Sequence, residues 1–345
     1  MRMPRRVFFF GLSVTALGAL GACSSSSDEG GGGSGDSANA RAGEIKGSDV
    51  WNDGTVLTGE VTIAKGADVE LAPGAKITCA EGATLYVRGT LRARAKDSHA
   101  RISCKTWKGV VISGGGKADL EGVELENGLI GIATASAAQD SRFTDGVISN
   151  SLKPFFVSEG SKLTVTNVKA TTPEKTGPNE LSQSDIEGVL IASRLDYEAY
   201  NSEGLAVLKQ GELDLQDSTI HGKNGQDLVA ARGGKRLKIA YTTLTGAHCG
   251  VHIEPMNNVL PAFEIDHVTS DSNIYGITIY GSAAAEHTVK ASNFTGSAAW
   301  LDFQGDNGSI SFDGVYTKGE QIITGGPPPK IQNAAAQPIA NAKPR

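Results

Sequence analysis

Long apolar runs are almost missing from this 345-residue chain. After one stretch from Val7 to about Ala19, none approaches the about 20 residues that a helix needs to cross a bilayer. An excess of basic residues is missing as well. Without Arg2, Arg5 and Arg6 of the leading segment, 29 Lys and Arg face 38 Asp and Glu, a net charge near −9, and this excludes an ordinary nucleic-acid partner. Aromatics make up only 6% of the chain and no helical periodicity is present, whereas 44 glycines punctuate short Val, Ile and Leu runs. Scarce aromatics and frequent Gly, Asn, Asp and Ser breaks describe many short strands joined by tight turns.

The first residues are ordered by charge: Arg2, Arg5 and Arg6, then the apolar run, then small residues before Cys23. That order is an export signal over 1–22, removed from the mature protein and irrelevant to its fold. Leu20-Gly21-Ala22-Cys23 resembles the lipobox of bacterial lipoproteins. The resemblance implies that Cys23 carries the lipid and is the membrane attachment, since several acyl chains hold stably where one does not. Residues 23–43, with Ser24 to Ser26 and Gly30 to Gly33, read as a flexible tether. Ser24 after the cysteine, where an Asp would retain the protein at the inner membrane, points to the outer membrane by that same resemblance, facing the periplasm or the cell surface. Arg5-Arg6-Val7-Phe8-Phe9 resembles the twin-arginine export motif in part, with Pro4 and Gly11 departing from it, so the general and the twin-arginine routes both stay open.

From residue 44 to 325 one pattern recurs, an alternating strand, a polar corner and another strand. Segments opening at Leu213, Leu237, Phe263, His287 and Ile310 start 24, 26, 24 and 23 residues apart, and Gly250-Val-His-Ile, Gly276-Ile-Thr-Ile and Trp300-Leu-Asp-Phe form a second column between them. A fixed period of this length marks a solenoid, and the leucine-rich signature that shares the period is missing. Period-two alternation puts one face of each strand inward, so the fold class is all-β: a parallel β-helix of roughly eleven coils, each about 4.8 Å above the last. Residues 171–186 break the rhythm as a polar loop, and 326–345, opening Gly-Gly-Pro-Pro-Pro, read as a disordered tail.

Gly59-Glu60-Val61-Thr62-Ile63, Gly66-Ala67-Asp68-Val69, Pro73-Gly74, Leu85-Tyr86-Val87-Arg88-Gly89-Thr90-Leu91 and Trp107-Lys108-Gly109-Val110 resemble the opening coils of right-handed parallel β-helix proteins of the pectate-lyase-like superfamily. The resemblance implies the right-handed fold but no single activity, because that fold carries lyases, hydrolases, epimerases and adhesins. Neither the calcium-binding carboxylate cluster of its lyases nor the Gly-His-Gly segment of its hydrolases is visible.

Three features carry possible chemistry. In His248-Cys249-Gly250-Val251-His252-Ile253-Glu254, inward Val251 and Ile253 send His252 and Glu254 outward, with Thr278 and Tyr280 one period on and Asp302 and Gln304 after that. His252, Glu254 and Asp302 are the catalytic candidates, and Tyr280 and Gln304 candidate binding residues, for acid and base work or sugar binding. As solvent-facing residues, His252 and Glu254 are expected to be dispensable to the fold. Arg92 and Arg94 alternate with Leu91 and Ala93 inside a basic stretch of an acidic protein, which suits an anionic surface or a solubilising face. Cys79 and Cys104 occupy matching contexts 25 residues apart and form either a disulfide or two stacked inward thiols, leaving Cys249 alone.

The expected function is a lipid-anchored, non-catalytic envelope protein that binds glycan or a protein partner, with a polysaccharide lyase or epimerase as the alternative. No cofactor or metal is expected, and calcium would enter only with a lyase. The oligomeric state is open. If Cys23 is the sole anchor, Cys23→Ala yields soluble or unprocessed protein on cell fractionation. A mature-sized variant that still pellets with membranes overturns this.

Overall fold

The computed structural model describes residues 39–176, 181–201, 203–256, 260–281, 287–305 and 310–345. The export signal, Cys23 and most of the expected tether lie outside the described residues. The described chain is a right-handed parallel β-helix of about 12 turns, with three strands to a coil. Sheet A holds one strand per coil from Ser48–Trp51 to Lys330–Gln332, sheet B takes in Lys76–Cys79, Thr219–Lys223 and Thr269–Asp271, and sheet C takes in Ala83–Val87, Asp227–Arg232, Cys249–Glu254 and Tyr275–Tyr280.

Every coil pairs in parallel with the one above, so alternation within a strand becomes a column along the axis. On sheet C the inward column runs Ile63, Val87, Ile112, Thr134, Val157, Ile186, Val207, Ala231, Ile253, Ile279 and Phe303, each paired with the next. All are fully buried, and the one hydroxyl, on Thr134, lies 2.8 Å from Ser161 Oγ. Burial of such a column supplies roughly 1.5–3 kcal/mol per aliphatic side chain before chain entropy is charged against it.

The corner between sheets A and B is left-handed at one residue per coil: Asp145, Asn167, Arg194, Asp217, Tyr241, His267 and Ala291 have φ between 46 and 54°. Asn and Asp adopt this conformation readily, whereas Tyr241 and Arg194 do so at a cost of about 1–2 kcal/mol. The backbone offsets it, because the corner amides of Asp217, Tyr241 and Ala291 each donate to a carbonyl of the next coil, at 2.9–3.1 Å. The Tyr241 and His267 rings stack at 4.7 Å.

Cys79 and Cys104 are register partners, with Cα atoms 4.9 Å apart, and are joined by a disulfide. Three expected boundaries shift. The first strand, Ala40–Ile45, starts inside the segment expected to be tether and pairs with Val56–Ile63. In the expected polar loop, Ser184–Ile186 is a buried strand of sheet C, and Ser182 and Gln183 are buried before it. The expected disordered tail is ordered and adds to the coil count. Lys330–Gln332 forms the last rung of sheet A, after which the chain turns back across sheet B. On that return Ala335 donates to the Val315 carbonyl, Ile339 is held at both backbone groups by Asn293, and Ala342 is buried and accepts from Thr269 Oγ1. Arg345 makes two bonds to Asp217 at 2.9 and 3.1 Å and lies 3.9 Å over the Tyr241 ring. Gly and Pro composition describes local chain entropy, and it is blind to a partner dozens of residues away.

Asn293 is the buried pivot of this return, bonded to Thr269 Oγ1 at 2.9 Å and to Ile339 at 2.8 and 3.0 Å. Asn293→Ala is expected to cost about 1–3 kcal/mol and to abolish hydrogen-exchange protection of 335–345. Protection that survives the substitution would show that the tail is held elsewhere.

Candidate functional site

The outward side of sheet C forms a second continuous column: Tyr86, Val111, Ala133, Phe156, Asp185, Ala206, Ala230, His252, Thr278 and Asp302, each in register with the next. An outward column is ordinarily exposed, but here Ala206 and Ala230 are fully covered and His252, Thr278 and Asp302 are only 7, 3 and 6% exposed. This end of sheet C is therefore covered rather than open to solvent.

Val251 and Ile253 are inward and His252 and Glu254 lie on the other side, as alternation requires. His252 is buried and Glu254 half-buried, where both were expected to face solvent. His252 Nδ1 lies 2.7 Å from Asp227 Oδ2, and its Nε2 lies 3.0 Å from Glu254 Oε1, close enough for an ion pair but not aligned as a hydrogen bond. Arg232, one coil below, joins three carboxylates: Glu203, Asp227 at 3.1 Å and Glu254 at 3.7 Å. One coil above, the Tyr280 ring meets the imidazole edge-on at 5.1 Å and its hydroxyl donates to Asp302 Oδ2 at 2.7 Å. Gln304 pairs with Tyr280 in register but is exposed.

Electrostatics fixes the protonation. Burial disfavours an imidazolium at His252, but Asp227 and Glu254 outweigh it and raise its pKa to about 9. Burial also pushes the Glu203 carboxyl up, with Arg232 opposing. The Cys249 thiol, 3.2 Å from Thr278 Oγ1, is driven well above its ordinary range by burial and by Asp227. It stays a neutral thiol and is no nucleophile. It also borders the same Thr278 as His252, although alternation sends the two apart. Gly250 lets the Ser270 side chain pack against the strand, since a Cβ there would lie 1.9 Å from Ser270 Oγ.

Of the candidates read from sequence, the structure brings His252, Glu254, Tyr280 and Asp302 together, with Gln304 at the edge. Arg92 and Arg94 lie far away on sheet A. Both face solvent, but Arg92 pairs with Asp68 at 2.7 Å and Glu70 at 3.1 Å, and Arg94 with Asp119 at 2.6 Å, so their charge is already matched. Glu203, Asp227 and Arg232 were missed. Asp227 and Arg232 are the register partners of Cys249 and Glu254, so stepping one period backward as well as forward would have found them. Among the described residues no group of His, Cys, Asp and Glu has the arrangement of a metal site. No protein-family model matches the chain, and neither a curated protein nor a solved structure matches it.

A folded pKa raised from 6.5 to about 9 makes His252 a stabilising cation. Its contribution is fully present below about pH 6.5 and is lost as pH rises through about 9. The wild-type melting temperature is therefore expected to fall across that window. His252→Gln should melt several degrees lower than wild type at about pH 6, with the difference shrinking by about pH 10. A gap that stays constant across this range would show that His252 is not held as a cation.

Proposed function

We propose that this chain is a lipid-anchored envelope protein of the pectate-lyase-like β-helix type that binds a glycan along the outward column of sheet C without cleaving it. The observation behind this reading is the column itself. Half-buried Tyr86 and Phe156 stand toward one end of it and buried polar Asp185, His252 and Asp302 toward the other, with Tyr280 beside the last two. Aromatic faces that stack on sugar rings, together with fixed hydrogen-bonding groups, are the elements of a carbohydrate site. A coil rise of about 4.8 Å is close to the advance of one sugar unit, so successive rings would meet successive coils. Cys23 and the Ser/Gly-rich tether would present this face from the outer membrane, and an envelope protein on the same face is the competing partner.

Binding is favoured over catalysis by the state of the ionisable groups. His252 is a cation held by two carboxylates and the Cys249 thiol is neutral, so neither is poised as a base near neutral pH. The alternative is a lyase or epimerase working through His252, Glu254 and Asp302.

Detergent-solubilised full-length protein, titrated calorimetrically with neutral, amino-sugar and uronic-acid oligosaccharides, is expected to bind at least one class and to release no unsaturated product. Phe156→Ala should weaken that binding about ten-fold while leaving the melting temperature within a few degrees. Absorbance from unsaturated uronate, lost in His252→Gln, would establish the lyase instead. No binding to any class removes the glycan reading.

A further inference from the structure

On the outward side of sheet B, in the last coils, lies a groove of about 720 Å3, inside the range of about 300–1,000 Å3 usual for small-molecule sites. Its floor is one face of three successive strands, with Thr269, Asn293 and Tyr316 in one register column and Thr295 and Lys318 in the next. One wall is the turn from Ser272 to Ile274, and the other is the returning tail at Pro338. Each wall is pinned by a buried asparagine. Asn273 donates to the Leu244 carbonyl and the Ser270 hydroxyl, both at 3.0 Å, and accepts from the Ala247 amide at 2.9 Å. Asn293 holds both backbone groups of Ile339. The groove is therefore formed in advance, and a ligand need not order its walls.

The lining carries two kinds of surface. The half-buried Tyr316 ring, Ile274 at 42% exposure and Pro338 supply the apolar part. Two residues along the strand from Tyr316, roughly 6–7 Å away, a polar row begins at Lys318 and continues through Thr295 to Asp271. The Thr295 hydroxyl donates to Asp271 Oδ1 and, aided by Ser272 and Lys318 against burial, keeps that carboxyl below its ordinary range. Among the described residues lining the groove only Asp271 and Lys318 are charged, and their charges cancel.

A lining without net charge favours neither an anion nor a cation. A purely apolar ligand would take water from the polar row and give nothing back, which costs free energy. A neutral sugar meets both demands. Its C–H face suits an aromatic ring, and its hydroxyls donate to a carboxylate and accept from an ammonium. We propose that this groove binds a short neutral saccharide, with Tyr316 as the stacking platform and Asp271, Thr295 and Lys318 as the row that holds the ring hydroxyls. The site is separate from sheet C and does not depend on the glycan reading given for that face.

The test titrates full-length protein calorimetrically, in a detergent without a sugar headgroup, with maltotriose, cellotriose and the N-acetylglucosamine trimer, and with trigalacturonate and the glucosamine trimer as charged counterparts. At least one neutral trimer should bind about ten-fold more tightly than either charged one, with an affinity that holds between about 0.05 and 0.5 M salt. Tyr316→Ala should weaken that binding about ten-fold, and Asn293→Ala, which frees the tail wall, should weaken it in the same direction. Ile274→Ser, at an exposed side chain, is the companion variant should Tyr316→Ala fail to fold, and it too should weaken binding. Trimer binding that Phe156→Ala removes and Tyr316→Ala keeps lies on sheet C, which overturns the groove site and leaves the glycan reading standing. Tighter binding of a charged trimer, or silence with every neutral one, also overturns the groove site.

Discussion

The in-register parallel ladder is the constraint from which everything else in this molecule follows. Each coil hydrogen-bonds to the next residue by residue, so a side chain's neighbours along the axis are the residues at the same position one period away. A residue therefore takes part in a column, and the column decides whether it is tolerated. Aliphatic columns close the interior, and left-handed columns turn the corners. Columns of alternating charge, such as Glu70, Arg92 and Asp119 on sheet A, neutralise themselves. The cluster around His252 on sheet C instead gathers charges from several coils at one place.

Much of the fold was legible because the period and the alternation are both written in the chain. Val251, Ile253, Ile277 and Ile279 announce an inward face by spacing alone, and the register Val251 to Ile277 is the one their 26-residue separation requires. The site was legible in part for the same reason, since stepping forward from His252 reaches Thr278 and then Asp302. What alternation does not report is whether an outward face is covered. It placed His252 on the correct side and left it in water, whereas Asp227, Arg232 and Glu203 from the coils below surround it. Arg92 shows the converse error. It was placed in solvent correctly, but its partners Asp68 and Glu70 lie one coil away and 22 or more residues back. Both errors come from charges that meet across coils, which composition counted over a short stretch does not register.

The sheet C network also shows why buried ion pairs specify more than they stabilise. Desolvation works against Arg232 and His252 alike, and each is retained because several carboxylates outweigh it. Removing any one member would strand the others in a covered space, so the group behaves as a unit. Such a unit holds Tyr280 and Asp302 against a rigid background, which is what recognition of a small polar group demands.

A solenoid is ordinarily a one-dimensional object, in which each coil senses only the coils above and below and the terminal ones fray independently. The return of the chain after Gln332 changes that arithmetic. By binding Val315, Asn293, Thr269 and finally Asp217, the tail joins coils that otherwise share no contact. Peeling the last coil away from the stack would also have to break bonds several coils below, so the end of the stack opens together or stays shut. The buried cluster of Asp227, His252 and Asp302 lies among these coils. Its geometry is thus insured by a strand of chain that never touches it, much as a hoop keeps the staves of a cask in line from outside.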